Sequence, residues 1–250
     1  MRVLDNVIYI EANSKNFNQN VRDYDDIKYI VIHYTGNIND TARNNALYFR
    51  EAITQTSAHY FVSNTDIYQS VPLNHAAYAV GLGARKEPYF KYPTMWKKIT
   101  NNNSISIEIC GSKESREGTD ETKHTAAKLT VALLDKFNLT PSCVYRHYDV
   151  TGKPCPAWAV EDSIKWLNYK LLVNNYFYNI GDDNMKDTPE NYSVFKEFMN
   201  RYLTETAKEA PEWPEEAMLY CKEKGLINDG RPNSPVTRAE LATVLMRLKL

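Results

Sequence analysis

Cysteine is scarce in this sequence. The chain has 4 cysteines among 250 residues, and they lie far apart, at Cys110, Cys143, Cys155 and Cys221. Small secreted domains that depend on disulfides carry cysteine at a much higher density. We therefore expect no disulfide framework, and at least one cysteine is a candidate for a chemical role.

Long apolar runs and a strong charge bias are also absent. No stretch of 18 apolar residues occurs, and the start of the chain, Met1 to Asp5, has no basic segment followed by an apolar one. The formal net charge is -1, with 24% charged residues, which does not indicate a nucleic-acid partner. We expect no membrane insertion, and synthesis in the cytoplasm without a signal peptide.

Two segments are the clearest predicted strands. The run from Lys28 to Tyr34 is β-branched and aromatic and ends at a polar turn, which predicts a buried strand with His33 near its C-terminal end. From Ser104 to Cys110, isoleucine alternates with other residues, so the isoleucines point to one face and Glu108 points to the other. Each strand is thus a rigid element that displays a polar side chain.

The first 178 residues alternate between predicted strands and helices. Besides the two strands above, the predicted elements are a helix capped by Asn39 or Asp40 that runs to about Ala52, strands at Ala58–Ser63 and Ile67–Val71, a loop over residues 81–103, a helix at Asp120–Phe137, a strand at Val144–Arg146 and a helix at Ala157–Tyr178. This alternation favours an α/β fold with a mixed central β-sheet flanked by helices. We assign residues 1–178 to one domain.

The pattern changes after residue 178. Residues 179–191 are rich in glycine, aspartate and asparagine, which predicts a linker. Residues 192–250 have helical periods only, with helices predicted from Pro211 to Gly225 and from Val236 to Leu250. We expect a small all-α domain there.

One segment combines residue types that bind metal. His147 and Cys155 lie on the same stretch with seven residues between them, next to a turn that can fold both side chains inward. Imidazole and thiolate are ligands suited to zinc, and a catalytic zinc site needs three protein ligands. His33, at the end of its strand, could supply the third. Without further support, these histidines would be surface or hydrogen-bonded core residues.

Three segments, in order, resemble the signature segments of the zinc amidases related to peptidoglycan recognition proteins: Ile30–Thr35, Ser104–Ile109 and Arg146–Pro156. The resemblance implies the amidase type 2 fold and cleavage of the amide bond between N-acetylmuramic acid and L-alanine in peptidoglycan. It also implies one Zn²⁺ per chain, bound by His33, His147 and Cys155. In the same way, Glu108 would be the general base, and Lys153 would help to stabilise the oxyanion.

The remaining histidines have other predicted roles. His59 is expected to be structural, with a satisfied ring, and His124 to be exposed at the start of a helix. Related amidases often have a substrate-binding histidine where this chain has Ala79, so whether His75 replaces it is left open. The substrate-binding residues are therefore not assigned, although we expect the loop over residues 81–103 to orient the glycan and the stem peptide.

Part of the C-terminal region resembles a surface-layer homology motif, a small helical module that binds cell-wall polymers. The similar segments are Trp213–Ala217, Lys224–Ile227 and Arg231–Glu240. The resemblance implies a secondary cell-wall polymer as a partner. The alternative is a helical bundle that packs on the amidase domain or forms a homo-oligomer.

Two other functions remain open beside that of a phage or prophage endolysin, which would reach the wall after release from the cytoplasm. A cytoplasmic amidase that recycles muropeptides usually has aspartate as its third ligand and no wall-binding module. A peptidoglycan recognition protein without catalysis typically lacks the cysteine ligand. Cys155 and the C-terminal region argue against the recycling amidase, and the presence of Cys155 with Glu108 argues against the recognition protein.

Overall fold

The structure of the protein is a computed structural model, which describes residues 3–82, 85, 87–89 and 93–178. The predicted linker at 179–191 and the predicted all-α domain at 192–250 lie outside the described residues. The strands are β1 (Ile8–Tyr9), β2 (Phe17–Asn18), β3 (Tyr29–Tyr34), β4 (Tyr60–Ser63), β5 (Asp66–Gln69), β6 (Ala76–Ala77), β7 (Ser104–Ile109) and β8 (Val144–Arg146). The α-helices are α1 (Ala42–Glu51), α2 (Asp120–Lys136), α3 (His147–Thr151), α4 (Ala157–Glu161) and α5 (Ser163–Phe177).

The described strands form a six-stranded mixed sheet in the order β1-β5-β4-β7-β3-β8 and a two-stranded ribbon of β2 and β6. In the large sheet, only β4 and β5 pair antiparallel, and the other neighbours are parallel. Because β3, β7 and β4 run in the same direction, their C-terminal ends meet at one edge of the sheet. The predicted mixed sheet with flanking helices is confirmed.

The alternating sequence of β7 separates the two faces of the sheet. Ile105, Ile107 and Ile109 are fully buried in a core with helices α2 and α5. The opposite face packs against loops and α3, through a smaller cluster that includes Val31, Met95 and Val150. Helices α2 and α5 therefore stabilise one face, and the polar side chains of β3 and β7 lie on the other.

Several helix boundaries differ from the predicted ones. Helix α1 is capped by Thr41, whose hydroxyl accepts from the N–H of Asn44 at 3.1 Å, and not by Asn39 or Asp40. Asn39 is left-handed, with φ 54°, and the carboxylate of Asp40 accepts from the N–H of Thr41 instead. The predicted boundaries of α2 and β8 are confirmed to within one residue.

The helix predicted at Ala157–Tyr178 is two helices. Asp162 has an extended backbone, and its carboxylate accepts from the N–H groups of Ile164 and Lys165 at 2.8 and 3.3 Å. An aspartate that caps free N–H groups in this way ends one helix and begins the next. Helices α4 and α5 can then take separate directions.

An arginine from the N-terminal segment, Arg22, forms hydrogen bonds with several loop residues. Arg22 is buried, with 8% of its surface exposed, and it lies in the segment that leads into β3. Its guanidinium donates to His59 Nε2 and to the carbonyl oxygens of Leu73, Asn101, Asn102 and Ser104. Hydrogen bonds from a charged donor compensate for burial of that charge. Arg22 thereby links two loops to the start of β7.

The predicted loop over residues 81–103 has little regular structure where it is described, apart from a 3₁₀ turn at Asn101–Asn103. The N–H groups of Tyr89 and Met95 donate to the carbonyl oxygens of Thr151 and Asp149, which joins this loop to α3. None of the helices in the described part of the chain has the length and apolar character needed to cross a membrane.

Candidate metal and catalytic site

His33 and Glu108 lie side by side on neighbouring parallel strands. His33 of β3 is in register with Glu108 of β7, so both side chains point to the same face of the sheet. The distance from His33 Nδ1 to Glu108 Oε1 is 3.9 Å. A rigid pair of strands therefore presents an imidazole and a carboxylate together near the ends of both strands.

His147 and Cys155 are brought to the same place by α3. Strand β8 pairs with β3, and α3 begins directly after β8, which puts His147 beside the end of β3. Gly152, with φ 78°, ends α3 in the left-handed conformation that glycine adopts without strain. The chain then turns back, and the N–H of Tyr148 donates to the carbonyl oxygen of Cys155 at 2.9 Å.

These side chains form a cluster that could hold a metal ion. One donor atom from each of His33, His147 and Cys155 lies within 4.8 Å of the other two. Cys155 Sγ is 3.8 Å from His33 Nδ1, and the two imidazole centroids are 4.7 Å apart. The structure thus brings together all three residues that the sequence indicates as ligands.

The buried polar atoms of this cluster fit a bound cation. His33, His147 and Cys155 are 2 to 3% exposed. Within the described residues, His33 Nε2 has no hydrogen-bond partner, and neither ring nitrogen of His147 has one of good geometry, although a backbone group of Gly81 lies near this ring. Buried polar atoms normally have a partner, so unpaired imidazole nitrogens beside a thiol point to an ion, with donor types that suit zinc.

The surroundings keep both imidazoles neutral, as metal ligation requires. Burial and then the charge of Lys153 lower the pKa of His147 to about 3, although a backbone group of Gly81 acts in the opposite direction. Burial, followed by the neighbouring His147, also lowers the pKa of His33 well below its ordinary value. In Cys155 burial raises the pKa to about 12, so the thiolate depends on a nearby cation.

Glu108 is a carboxyl group with an environment suited to proton transfer. Its pKa is raised to about 7, mainly by burial; the charge of Lys153 lowers the pKa, and the charge of Asp40 raises it by a smaller amount. Its Oε2 atom is buried and has no hydrogen-bond partner among the described residues. A catalytic carboxyl group is most effective when its pKa lies near the working pH.

Lys153 is exposed, yet its charge reaches the cluster. It lowers the pKa of His33, His147, Glu108 and Cys155. Its backbone N–H donates to Thr151 Oγ1 at 3.3 Å, which fixes the turn between α3 and Cys155. The positive charge of Lys153 therefore lies close enough to act on all four of these groups.

Comparison with known proteins identifies the family to which the chain belongs. The family model described as N-acetylmuramoyl-L-alanine amidase matches residues 23–158, which include the whole cluster. The chain belongs to the N-acetylmuramoyl-L-alanine amidase family. The segments Ile30–Thr35, Ser104–Ile109 and Arg146–Pro156, which carry the resemblance in the sequence, all lie in the matched range.

Individual members of this amidase family are similar over the same region. The amidase CwlL of Bacillus licheniformis is 34% identical over 158 residues, which are 61% of this chain and 42% of CwlL. The amidase BlyA of Bacillus subtilis is 34% identical over 152 residues, which are 59% of this chain and 41% of BlyA. The match thus spans about two fifths of the length of these curated relatives.

A solved structure in the amidase family supports the fold. The catalytic domain of XlyA, an amidase of Bacillus subtilis, is 26% identical with a TM-score of 0.54. The match covers 67% of this chain and 99% of that domain. The amidase type 2 fold predicted from the sequence is confirmed for the matched region.

Asp40 is a charged residue close to Glu108, and the sequence does not reveal that proximity. Its Oδ1 accepts from Asn45 Nδ2 at 2.8 Å, and its Oδ2 is buried without a hydrogen-bond partner within the described residues. Its charge raises the pKa of both Glu108 and Cys110. The sequence pattern predicts only a helix cap for Asp40. Its proximity to Glu108 could not be predicted, because it depends on the packing of the loop after β3 against β7.

The other histidines of the chain lie outside the cluster. His75 donates from Nδ1 to the carbonyl oxygen of Asn18 at 3.1 Å and packs edge-on against Phe17, so it joins the β2–β6 ribbon and is not part of the cluster. His124 is half-buried, and the prediction that it is exposed is wrong. Its Nδ1 contacts the hydroxyl of Tyr176 at 2.6 Å, because α5 packs against α2.

His59 is structural, as predicted, and it makes folding sensitive to acid. Its ring nitrogens contact Ser106, Arg22 and the carbonyl oxygen of His75. Burial and then the charge of Arg22 lower its pKa to about 3. Between pH 6.5 and about 3, the unfolded chain therefore binds a proton that folded His59 does not, so stability falls as the pH falls.

We expect the difference in unfolding free energy between the native protein and His59→Gln to shrink by about 2 kcal/mol from pH 6.5 to pH 5. Only His59 is removed, so the acid sensitivity of the other buried histidines cancels in this comparison. Urea unfolding at both pH values, with the metal removed, measures the change. If the unfolding free energies of the two proteins fell in parallel between pH 6.5 and pH 5, His59 would not contribute to the acid sensitivity.

Proposed function

We propose that this protein is a zinc-dependent amidase that hydrolyses the bond between N-acetylmuramic acid and L-alanine in peptidoglycan. The single observation that carries the proposal is the buried cluster of His33, His147 and Cys155 with Glu108 beside it. The family supports the same reaction, because its members CwlL and BlyA are named as N-acetylmuramoyl-L-alanine amidases.

His33, His147 and Cys155 would hold one zinc ion. Two neutral imidazoles and one thiolate are donors that zinc prefers, and a set of three protein ligands is typical of catalytic sites. When bound, zinc would supply Lewis acidity at the scissile carbonyl and lower the pKa of water to about 7. Its charge would also stabilise the Cys155 thiolate, which burial otherwise opposes.

Glu108 would move the proton during the reaction. Its carboxylate lies beside His33 with one oxygen free of hydrogen bonds among the described residues, so it can accept a proton from the attacking water. The same group can then deliver that proton to the nitrogen of the leaving L-alanine. A pKa of about 7 allows both directions of transfer near neutral pH.

Lys153 would stabilise negative charge on the scissile carbonyl oxygen. Its side chain is exposed, but its charge acts on Glu108 and on all three cluster residues. A cation aimed at the place where negative charge develops lowers the barrier of an acyl-transfer reaction. The loop that includes Tyr89 and Met95 joins α3 nearby and would contact the substrate.

The biological setting that we infer is wall lysis by a phage or prophage endolysin. A similar solved structure is described as a mutant endolysin from Bacillus subtilis. The enzyme would be made in the cytoplasm and act on the wall after its release. The surface-layer-like segments between Trp213 and Glu240 would bind a secondary wall polymer, and their alternative role is oligomerisation.

The test is to measure the zinc content of the purified full chain together with its action on purified cell walls. We expect about one zinc per chain and release of free amino groups of L-alanine, without release of reducing sugar ends. Wall binding without amine release would instead indicate a recognition protein. Activity on soluble muropeptides but not on intact walls would indicate a recycling enzyme.

A further inference from the structure

Arg146 directly precedes His147, and its side chain bonds to residues on the segments that carry or follow the two candidate ligands His147 and Cys155. It is the last residue of β8, and its guanidinium forms a bidentate ion pair with Asp149 of α3. Arg146 Nη2 donates to Asp149 Oδ1 at 2.7 Å, and Arg146 Nε donates to Asp149 Oδ2 at 3.1 Å. The backbone N–H of Arg146 donates to the same carboxylate at 2.8 Å. This fork fixes the first turn of α3, in which His147 is the first residue.

The remaining guanidinium nitrogen of Arg146, Nη1, bonds to a residue that follows Cys155 in the chain. Arg146 Nη1 donates to the carbonyl oxygen of Ala159 at 2.7 Å. Ala159 belongs to α4, which begins two residues after Cys155, and its N–H donates back to the carbonyl oxygen of Pro156. One planar side chain therefore joins the segment that starts with His147 to the segment that follows Cys155.

The guanidinium is also held in place by its surroundings. The side chains of Arg146 and Asp149 are 17% and 14% exposed, so water competes little for their ion pair. The guanidinium lies over the rings of Tyr148 and Trp166, at 5.1 and 5.3 Å from their centroids. Arg146 is thus rigid enough to set a distance between two segments.

The imidazole of His147 is less firmly held. A backbone group of Gly81 lies near enough to raise its pKa, but neither ring nitrogen has a hydrogen-bond partner of good geometry among the described residues. Metal-binding histidines commonly donate their second N–H to a group that orients the ring. Apart from Gly81, the position of the ring depends on packing and on the backbone of α3, which Arg146 and Asp149 fix.

We propose that Arg146 is a positioning residue that fixes the distance between His147 and Cys155 and so preorganises the metal site. The inference rests on the zinc site of the proposed function. It adds a residue that touches neither the metal nor the substrate. Arg146 acts through Asp149 on one ligand and through Ala159 on the other.

Arg146→Lys separates this role from that of a simple charge. A lysine keeps the positive charge, but its single ammonium group cannot serve the Asp149 fork and the Ala159 carbonyl oxygen in the same geometry. Asp149→Asn removes the ion pair with Arg146 but leaves the hydrogen bond from Arg146 Nη1 to the carbonyl oxygen of Ala159. Thr130→Val is the matched control, because it removes a buried hydrogen bond to Tyr169 on the opposite face of the sheet.

The experiment measures zinc affinity of the full chain by competition with a chelator, at a temperature where circular dichroism shows each variant to be folded. We expect Arg146→Lys to weaken zinc binding about 10- to 100-fold, and Asp149→Asn to weaken it in the same direction. Thr130→Val is expected to lower Tm but to keep zinc affinity within about twofold of the native protein. If Arg146→Lys does not fold, Asp149→Asn decides.

Two results would overturn the role of Arg146 and leave the zinc site intact. One is zinc affinity equal to that of the native protein in the folded Arg146 or Asp149 variants. The other is an equal loss in Thr130→Val, which would assign the effect to general stability. Absence of zinc binding by the native protein would instead overturn the proposed function, and the positioning role with it.

Discussion

Cys155→Ser is expected to abolish both zinc binding and wall hydrolysis. Loss of an outer-shell contact weakens metal binding about 10- to 100-fold, so loss of a ligand should cost more than about 100-fold. Serine has nearly the shape of cysteine, but its hydroxyl does not ionise near neutral pH and is a poor donor to zinc. Amine release from purified walls should fall below about 1% of the native rate, because the zinc is missing.

Cys143→Ser is the matched control for this change. Cys143 is a free, half-buried cysteine at the end of a 3₁₀ turn, and it is not among the cluster residues. We expect Cys143→Ser to keep about one zinc per chain and the native rate of amine release. A Cys155→Ser protein that retains zinc and activity would show that the thiolate is not a ligand, and the set of three donors would have to be replaced.

The sequence predicts the parts of the site that depend on short-range patterns. The β-branched run ending at Tyr34 and the alternation in Ser104–Ile109 identify β3 and β7, and their period of two puts His33 and Glu108 on defined faces. The family resemblance then supplies the chemistry of each residue. Their relative position, however, requires the strand order, which places β7 and β8 on either side of β3.

Features that depend on tertiary contacts could not be predicted. Strands β1, β2 and β6 have two residues each, too few for a period of two to be recognised. The short helix α3 has no apolar repeat, and it forms because Asp149 caps its start and Gly152 ends it. The charge of Asp40 likewise acts on Glu108 only because the loop that follows β3 packs against the end of β7.

That packing is tight where the loop meets Gly111, the second residue after β7. A Cβ atom on Gly111 would lie 1.8 Å from the carbonyl oxygen of Asn37 and 2.8 Å from that of Ser115. The N–H of Asn39 donates to the carbonyl oxygen of Ser112 at 2.7 Å. Only glycine lets the two loops approach this closely, and their approach brings Asp40 near Glu108.

Glu108→Gln is expected to separate metal binding from catalysis. Glutamine keeps the size of the side chain and remains polar, but it cannot accept the proton from water. General acid–base catalysis contributes about 10²- to 10⁴-fold, so the rate of amine release should fall by that factor. Zinc content should stay at about one per chain, because His33, His147 and Cys155 are unchanged.

An exposed glutamate provides the control. Glu114 lies in the loop after β7 and is exposed, so Glu114→Gln removes the same charge without touching the cluster. Zinc content by atomic absorption and amine release at substrate concentrations above and below KM should be measured for both variants. We expect Glu108→Gln to lower kcat with little change in KM, since Glu108 acts on the proton in the transition state. A Glu108→Gln enzyme with native kcat would assign the proton transfer to another group, and a variant that lost its zinc would show that Glu108 supports the metal site instead.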